Sequence, residues 1–259
     1  MMRRLLILEV FLLAAGCGGG VAPPQEEDPG PGTVKNELAF FDYSASHTNS
    51  AQDPDNSASS EISLTKGETV MLGTCGLTDS AFTGDTYLRL YGSSVQVAAN
   101  DDSESCGLDS VGSRIVYTAP VAGIYTLRAG CFDVGACSGT VALSRRKATF
   151  AAPSLRNTHD ATVNTFNKQY YFNGGEVLRV STCGTTAFGA SASGDTLLRL
   201  FQQRNGGYTT EVANNDNAGA LCSSAAEIVY AIPSAGYYQI RVGCAANTAC
   251  GATVAVYIE

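Results

Sequence analysis

Hydrophobic and polar residues alternate with a period of two in several short runs of this chain. In "YLRLY", Leu88 and Leu90 fall on one face, while Tyr87, Arg89 and Tyr91 fall on the other. The run "YYQIRV" has the same period near the end of the sequence. Such alternation is typical of strands that bury one face, and glycine and proline residues separate the runs. The pattern predicts an all-β chain of short antiparallel strands.

The same series of segments occurs twice. "GETVMLGTCG", "GDTYLRLYG", "VAANDDSESCG" and "RIVYTAPVAGIYTLRAGC" are matched, in the same order, by "GEVLRVSTCG", "GDTLLRLFQ", "VANNDNAGALCS" and "EIVYAIPSAGYYQIRVGC". Each copy is about 110 residues long, which is enough for one independent core. We predict two tandem antiparallel β-sandwich domains of jelly-roll-like form, over residues 34–146 and 147–259.

The first 33 residues differ in character from the repeats. "MMRRLLILEVFLLAAGC" has two arginines, an apolar run and small residues before Cys17, which indicates a secretory signal. The run is too short for a stable membrane-spanning helix. Its ending "LLAAGC" resembles the lipobox of bacterial lipoproteins, although Ala14 stands where leucine is usual; ordinary secretory cleavage is the alternative.

We therefore expect a signal peptide over residues 1–16, a lipid on Cys17, and a flexible tether over residues 17–33 that is rich in proline, glycine and acidic residues. The lipid would anchor the protein to a membrane of the bacterial cell envelope without spanning it, at the outer membrane or the cell surface.

Eight cysteines remain when Cys17 is set aside, four at matching places in each copy. An exported protein is expected to oxidise them. The segments "CFDVGAC" and "CAANTAC" suit bridges across hairpin loops, which leaves one longer bridge in each copy. The predicted pairs are Cys131–Cys137, Cys75–Cys106, Cys244–Cys250 and Cys183–Cys222. Zinc held by four thiolates is the weaker alternative, because the usual CxxC spacing is absent.

Acidic and amide side chains gather with the cysteines at one end of each copy if consecutive strands run antiparallel. They are Asp85, Asn100, Asp101 and Asp102 in the first copy, and Asp195, Asn214, Asn215, Asp216 and Asn217 in the second. Calcium takes about six to eight oxygen ligands of these kinds. We expect calcium at both ends, held less tightly by the second copy, which has fewer carboxylates. Alternatively, these residues form turns by bonding to local backbone.

The combined pattern "GDTYLRLY…VAANDD…SRIVYTAPVAGIYTLRAG" resembles the bacterial pre-peptidase C-terminal domain family. The likeness covers residues 38–144 and 149–258. It implies non-catalytic β-sandwiches appended to exported proteins, some of which bind calcium or extracellular polymers. Two features depart from the family: the sequence contains no protease domain, and the four-cysteine pattern is not general among its members.

Charge and composition argue against some classes of function. A net charge of −8 and a pI near 4.8 argue against nucleic acid as a partner. The two histidines, His47 and His159, lie in polar stretches, where surface positions are expected. "GASASG" is a near miss for the serine-hydrolase elbow, but it precedes a strand and no helix. We expect no enzymatic activity.

The sequence thus predicts an envelope-anchored lipoprotein whose two calcium-assisted modules bind an extracellular protein or polysaccharide. The outward positions of the strands form a candidate ligand face that is also explained by ordinary cross-strand pairing: Tyr87, Arg89, Tyr91, Tyr237 and Arg241. Tyr125 and Tyr238 are expected in the core. The alternative functions are a hydrolase of envelope polymers that uses the acidic loop cluster, and a purely structural surface protein.

Overall fold

The computed structural model describes residues 40–259; the signal peptide, Cys17 and the tether of residues 17–33 lie outside the described residues. The described chain is all-β, with one 3₁₀ turn at Glu104–Cys106. The strands up to the middle of the chain are β1 Phe40–Ser46, β2 Ala58–Leu64, β3 Thr69–Gly73, β4 Ala81–Thr83, β5 Thr86–Gly92, β6 Val95–Asn100, β7 Arg114–Thr118, β8 Gly123–Cys131 and β9 Ala136–Arg156. The remaining strands are β10 Phe166–Phe172, β11 Val177–Ser181, β12 Ser191–Ser193, β13 Thr196–Arg204, β14 Gly207–Asn215, β15 Glu227–Ala231, β16 Gly236–Cys244 and β17 Ala249–Ile258.

The strands form two antiparallel sandwiches, as the sequence predicts. In the first copy, the four-stranded sheet β2-β8-β5-β6 packs against β1, β9, β3 and β7. In the second copy, β10-β16-β13-β14 packs against the second half of β9 with β17, β11 and β15. Each core combines residues from both of its sheets, for example Leu88 and Leu127 with Val70 and Val141 in the first.

The predicted strand faces are confirmed. Leu88 and Leu90 are fully buried, and Tyr125 and Tyr238 lie in the two cores. The hydroxyl of Tyr125 donates to the carbonyl of Val121 at 2.9 Å. This bond satisfies the polar end of a ring whose remainder is buried among apolar side chains.

The two sandwiches share a strand. β9 is 21 residues long and passes without a break through the predicted boundary at residue 146. Its first half pairs with β1, β3 and β4, and its second half pairs with β17. One nine-stranded sheet therefore runs through both copies.

Charged side chains at the junction of the two copies are buried. The guanidinium of Arg179 contacts Glu227 at 2.5 Å and Glu259 at 2.5 Å, and it donates to the carbonyl of Gly76 in the first copy at 3.2 Å. The other carboxylate oxygen of Glu259 accepts from the amide of Thr78 at 2.8 Å. Burial acts to raise the pKa of Glu259, but the bonds from Arg179 and Thr78 lower it. These polar contacts join the two copies. A small apolar cluster that includes Met71 from the first copy and Tyr257 from the second also lies at the junction.

The expected disulfide bonds are present. The bonded pairs are Cys75–Cys106, Cys131–Cys137, Cys183–Cys222 and Cys244–Cys250. They are consistent with an extracellular or surface protein. Each copy thus carries one bridge across a hairpin and one between more distant segments, at the same end of its sandwich.

A left-handed turn crosses the outer sheet of each copy. Asn49–Ala51 and His159–Ala161 all have φ near +50°, which side chains other than glycine seldom adopt. In the first copy, Thr48 Oγ1 donates to the carbonyl of Cys131 at 2.8 Å and accepts from its amide at 2.9 Å. A Cβ atom on Gly130 would lie 2.6 Å from that oxygen, so glycine is needed where the turn meets the sheet. Thr158 and Gly243 repeat the arrangement in the second copy.

Candidate functional site

The disulfide-bonded end of the first copy brings three aspartates together. Asp85 immediately precedes β5, after Gly84, whose φ of 77° turns the chain into the strand. Asp101 and Asp102 directly follow β6, which is paired with β5. One carboxylate oxygen from each of the three lies within 4.8 Å of the others. Two neighbouring strands therefore place the predicted residues at one point.

Asp85 and Asp101 lie in an environment that disfavours the charge of their carboxylates. The Oδ1 atoms of Asp85 and Asp101 are buried and have no hydrogen-bond partner among the residues that the structure describes. Burial, followed by the charges of Asp102 and Asp85, raises the pKa of Asp101 to about 6. Burial and the charge of Asp102 also raise the pKa of Asp85. A bound cation would give the unpartnered oxygens a contact and would reduce the repulsion between the carboxylates.

The predicted amide ligand of the first copy has another role. Asn100 Oδ1 accepts from the amide of Arg114 at 2.7 Å, and Asn100 Nδ2 donates to the carbonyl of Asp102 at 3.2 Å. The side chain therefore fixes the loop that carries the carboxylates. These bonds are of the kind by which asparagine holds turns through backbone contacts, and the role of Asn100 as a metal ligand stays a prediction.

An asparagine side chain makes the same two hydrogen bonds in the second copy. Asn215 accepts from the amide of Glu227 at 3.0 Å and donates to the carbonyl of Asn217 at 3.2 Å. Asp195 Oδ1 is buried without a hydrogen-bond partner, like its counterpart Asp85. However, the position of Asp102 is held by Asn217, and Asp216 is exposed. Among the residues from 40 onward, three acidic groups meet at metal-binding distance only in the first copy.

The donor set suits a hard cation. Three carboxylates, two of them with unsatisfied buried oxygens, are ligands of the kind that Ca²⁺ prefers, and backbone carbonyls and water commonly complete its shell. Asp85, Asp101 and Asp102 would hold the ion, and Asn100 would position their loop. Bound calcium would supply a positive charge that joins the two loops.

The candidate ligand face is partly covered. Arg89 points away from the core, as its strand position requires, but only 8% of it is exposed. The loop of residues 47–57 lies over it: Arg89 Nε donates to the carbonyl of Ser50 at 2.5 Å, and its guanidinium stacks 4.5 Å from the ring centroid of Tyr87. The expected exposure of Arg89 is therefore wrong, because a distant loop that strand periodicity does not reveal packs across the sheet. Tyr91 is half-buried and stacks against Arg128.

The corresponding face of the second copy is more open. Tyr237 is 46% exposed and packs edge-on against Tyr171, with ring centroids 5.4 Å apart. Arg241 stacks 3.8 Å from the ring centroid of Phe201 and donates to the carbonyl of Tyr208 at 2.8 Å. The structure thus places the predicted Tyr and Arg residues on two separate faces, one on each sandwich, where they make the cross-strand contacts that the sequence offered as the simpler explanation.

The histidines and serines examined as catalytic candidates belong to turns and a short strand. His47 and His159 are exposed in the turns that precede β2 and β10. Ser191 and Ser193 of "GASASG" belong to β12, and no helix follows them in the described chain. The strand-turn-helix geometry of a nucleophile elbow is therefore missing at this segment.

Sequence reasoning missed the buried charges at the junction. Arg114 and Glu227 occupy the same place in "RIVYT" and "EIVYA", and this reversal of charge between copies was the available signal. Arg114 donates to the carbonyl of Thr186 in the second copy. Burial and the nearby charge of Arg179 lower its pKa to about 10.

Comparisons with known proteins give no relative that identifies this chain. No family model matches, and no curated protein matches. The resemblance to the pre-peptidase C-terminal family stays a prediction. The described residues contain no helix long and apolar enough to cross a bilayer.

Similar solved structures are distant. The major capsid protein P2 of bacteriophage PM2 is 9% identical, over 84% of this chain and 97% of that chain, with a TM-score of 0.27. A conserved protein of unknown function from Pseudomonas aeruginosa PAO1 is 8% identical, over 79% and 78%, with a TM-score of 0.23. The M60 catalytic domain with two CBM51 domains of Clostridium perfringens ZmpB is 7% identical, over 78% and 33%, with a TM-score of 0.21. At these scores the likenesses carry no argument about function.

Proposed function

We propose that this protein is a non-catalytic, lipid-anchored component of the bacterial cell envelope whose first sandwich uses calcium to order a binding surface for an extracellular macromolecule. The observation that carries the proposal is the cluster of Asp85, Asp101 and Asp102, two of which have buried oxygens without hydrogen-bond partners. Three carboxylates this close repel one another unless a proton or a cation lies between them.

Calcium would act on loops that the disulfides already restrain. Cys106 lies four residues after Asp102, and Cys131 directly precedes Phe132, whose amide donates to the carbonyl of Asp85 at 3.0 Å. An ion held by Asp85 and Asp101 would link the start of β5 and the end of β6 to these bridged segments. Extracellular calcium modules work at about 0.1–1 mM, so calcium outside the cell would keep the loops ordered.

The anchor is the other part of the proposal. A lipid on Cys17 would hold the protein at a membrane, and the tether of residues 17–33 would let the sandwiches extend from it. Replacing Cys17 with serine should abolish labelling by a clickable palmitate analogue and release the protein from membranes. Continued labelling of Cys17→Ser would contradict the anchor.

Thermal melting in calcium and in chelator tests the calcium site. We expect the melting temperature of the oxidised protein to rise with millimolar calcium and to fall in chelator. Asp85→Asn/Asp101→Asn should lose this response. Asp133→Asn is the matched control: Asp133 is exposed at the same end, and asparagine accepts its φ of 49°. An unchanged melting temperature in wild-type protein at several millimolar calcium would overturn the proposal.

A further inference from the structure

An apolar cavity opens at the other end of the first sandwich, between the edge strands β6 and β7. Its volume is about 170 Å³, and its lining carries no formally charged side chain. Its main walls are the rings of Tyr117 and Tyr125 and the side chains of Val97, Val121 and Ile124, with Gly92 between them. A Cβ atom on Gly92 would lie 2.9 Å from Tyr125 Cε1, so the space beside this ring depends on glycine.

The second copy fills the corresponding place with a polar bridge. Gly92 pairs with Tyr125 across the sheet, as Gln202 pairs with Tyr238. Gln202 is only 9% exposed, and its Nε2 donates to Ser234 Oγ at 3.0 Å. Ser234 is the counterpart of Val121. The surrounding frame is otherwise the same, since Tyr125 and Tyr238 bond equivalent carbonyls at 2.9 and 3.0 Å. The two copies share the surrounding strands and the buried tyrosine, so the cavity results from the smaller or apolar side chains at these positions in the first copy.

The edge strand beside the cavity, β6, carries no charged side chain. Within residues 40–259, β6 is the terminal strand of its sheet and pairs only with β5. Val95 and Val97 on it are 66% and 38% exposed, and its sequence "VQVAAN" has no charge. Its counterpart β14 carries Glu211, which pairs with Arg199 at 2.8 Å. Exposed edges offer unpaired backbone groups to another strand, and proteins usually protect them with charges.

The surroundings of β6 change from uncharged at its start to acidic at its end. β6 begins beside the uncharged cavity and ends at Asn100, directly before Asp101 and Asp102. Val97 and Asp101 are four residues apart, about 13 Å along a strand. A segment added to this edge with an apolar side chain in the cavity would place a residue a few positions away beside the carboxylates. That end favours a positive charge, as does the net charge of −8.

We propose that the edge of β6 and its cavity form a strand-addition site for an extended segment of another protein, with a large apolar side chain in the cavity and a basic residue at the acidic end. Backbone bonds to β6 would supply affinity, and the cavity would select the apolar side chain. The inference deepens the proposed binding function by naming a protein segment as its ligand. The cavity itself does not depend on calcium.

An array of random-sequence hexapeptides, probed with the full-length wild-type chain in chelator and again in calcium, tests the site. Wild-type protein should select peptides with a large apolar residue and, in chelator, an excess of lysine and arginine that calcium reduces. Val97→Lys places a charge in the cavity mouth and on the edge, and should reduce the bound signal at least tenfold. Val229→Lys is the matched control, because Val229 is 46% exposed on β15, an edge strand of the second copy.

A second variant protects the test against misfolding. Val121→Lys adds a charge at a cavity-lining position that is 62% exposed, without placing an atom beside the Tyr125 ring, and should also lose selection while it keeps the wild-type melting temperature within a few degrees. Equal selection by wild type and both variants, selection without a basic excess in chelator, or binding only to polysaccharide would overturn the inference. Melting of the same samples in calcium separates this failure from failure of the calcium site: a retained calcium response with no peptide selection removes the inference alone.

Discussion

The two sandwiches of this chain share a frame and differ at its two ends. Both have a disulfide across a hairpin, a threonine that bridges the backbone of a cysteine, and a buried tyrosine bonded to a turn. At the disulfide-bonded end, Asp102 in the first copy is replaced by Asn217 in the second. At the other end, Gly92 is replaced by Gln202. Duplication has kept the residues that hold the fold. In the described part of the chain, three carboxylates cluster only in the first copy, and Gln202 occupies the place that corresponds to its apolar cavity.

The largest effect is expected at the junction that joins the copies. Replacing Arg179 with methionine, the residue at the equivalent position 71, leaves Glu227 and Glu259 buried without the guanidinium that contacts both of them. Because an uncompensated buried charge is costly, we expect a loss of about 3–5 kcal/mol in the free energy of unfolding, measured by urea denaturation.

Arg199→Met is the control for this change. Arg199 pairs with Glu211 on the more exposed outer face, where an ion pair contributes at most about 1 kcal/mol. A similar loss in the two variants would show that the buried junction does not hold the copies together as described.

The shared threonines should respond alike. Thr48→Val and Thr158→Val each remove a hydroxyl that bonds both the amide and the carbonyl of a buried cysteine. Unpaired buried backbone groups cost about 1–3 kcal/mol, so each variant should lose a comparable amount in chemical denaturation. Clearly unequal losses would mean that the two left-handed turns do not have equivalent roles.

The difference between the acidic ends can be reduced by one substitution. Asn217→Asp gives the second copy the third carboxylate of the first. We expect isothermal titration calorimetry to detect a second calcium-binding event in this variant, with a higher affinity than the second copy has in the wild-type protein. Asn205→Asp, in the tight turn between β13 and β14, is the control and should leave calcium binding unchanged. If Asn217→Asp binds no more calcium than wild type, carboxylate number is not what separates the copies.

A smaller effect is expected from pH. The folded pKa of Asp101 is raised to about 6, above the value of about 3.9 for an exposed aspartate. Its neutral form therefore favours folding: the contribution is fully present below pH 4 and is lost as pH rises through 6. In chelator, the melting temperature should fall over this window relative to Asp101→Asn, and calcium should remove the fall. Identical pH profiles for the two proteins in chelator would contradict the assigned environment of Asp101.

Local pattern was sufficient for the strand faces and for the placement of the aspartates. Leu88 and Leu90 alternate with polar residues, and the direction of successive strands brings Asp85 to the same end as Asp101. The pattern did not indicate β1, β2 or β4, which are short or irregular in polarity and derive their pairing from distant strands.

Long-range contacts explain the remaining differences. Arg89 has the alternation of an exposed residue, yet Ser50, 39 positions away, covers it. Arg179 and Glu259 are 80 positions apart and belong to no local motif. The continuity of β9 across residue 146 was also hidden, because a repeat boundary in sequence does not require a break in the strand.

Calorimetric titration of the oxidised, chelator-treated protein with calcium decides whether the first copy binds the ion. We expect one binding event per chain at millimolar or lower calcium, assigned to the first copy, and its loss in Asp85→Asn/Asp101→Asn. Absence of heat at several millimolar calcium, or an unchanged event in that double variant, would contradict it and leave these aspartates as residues of the turns.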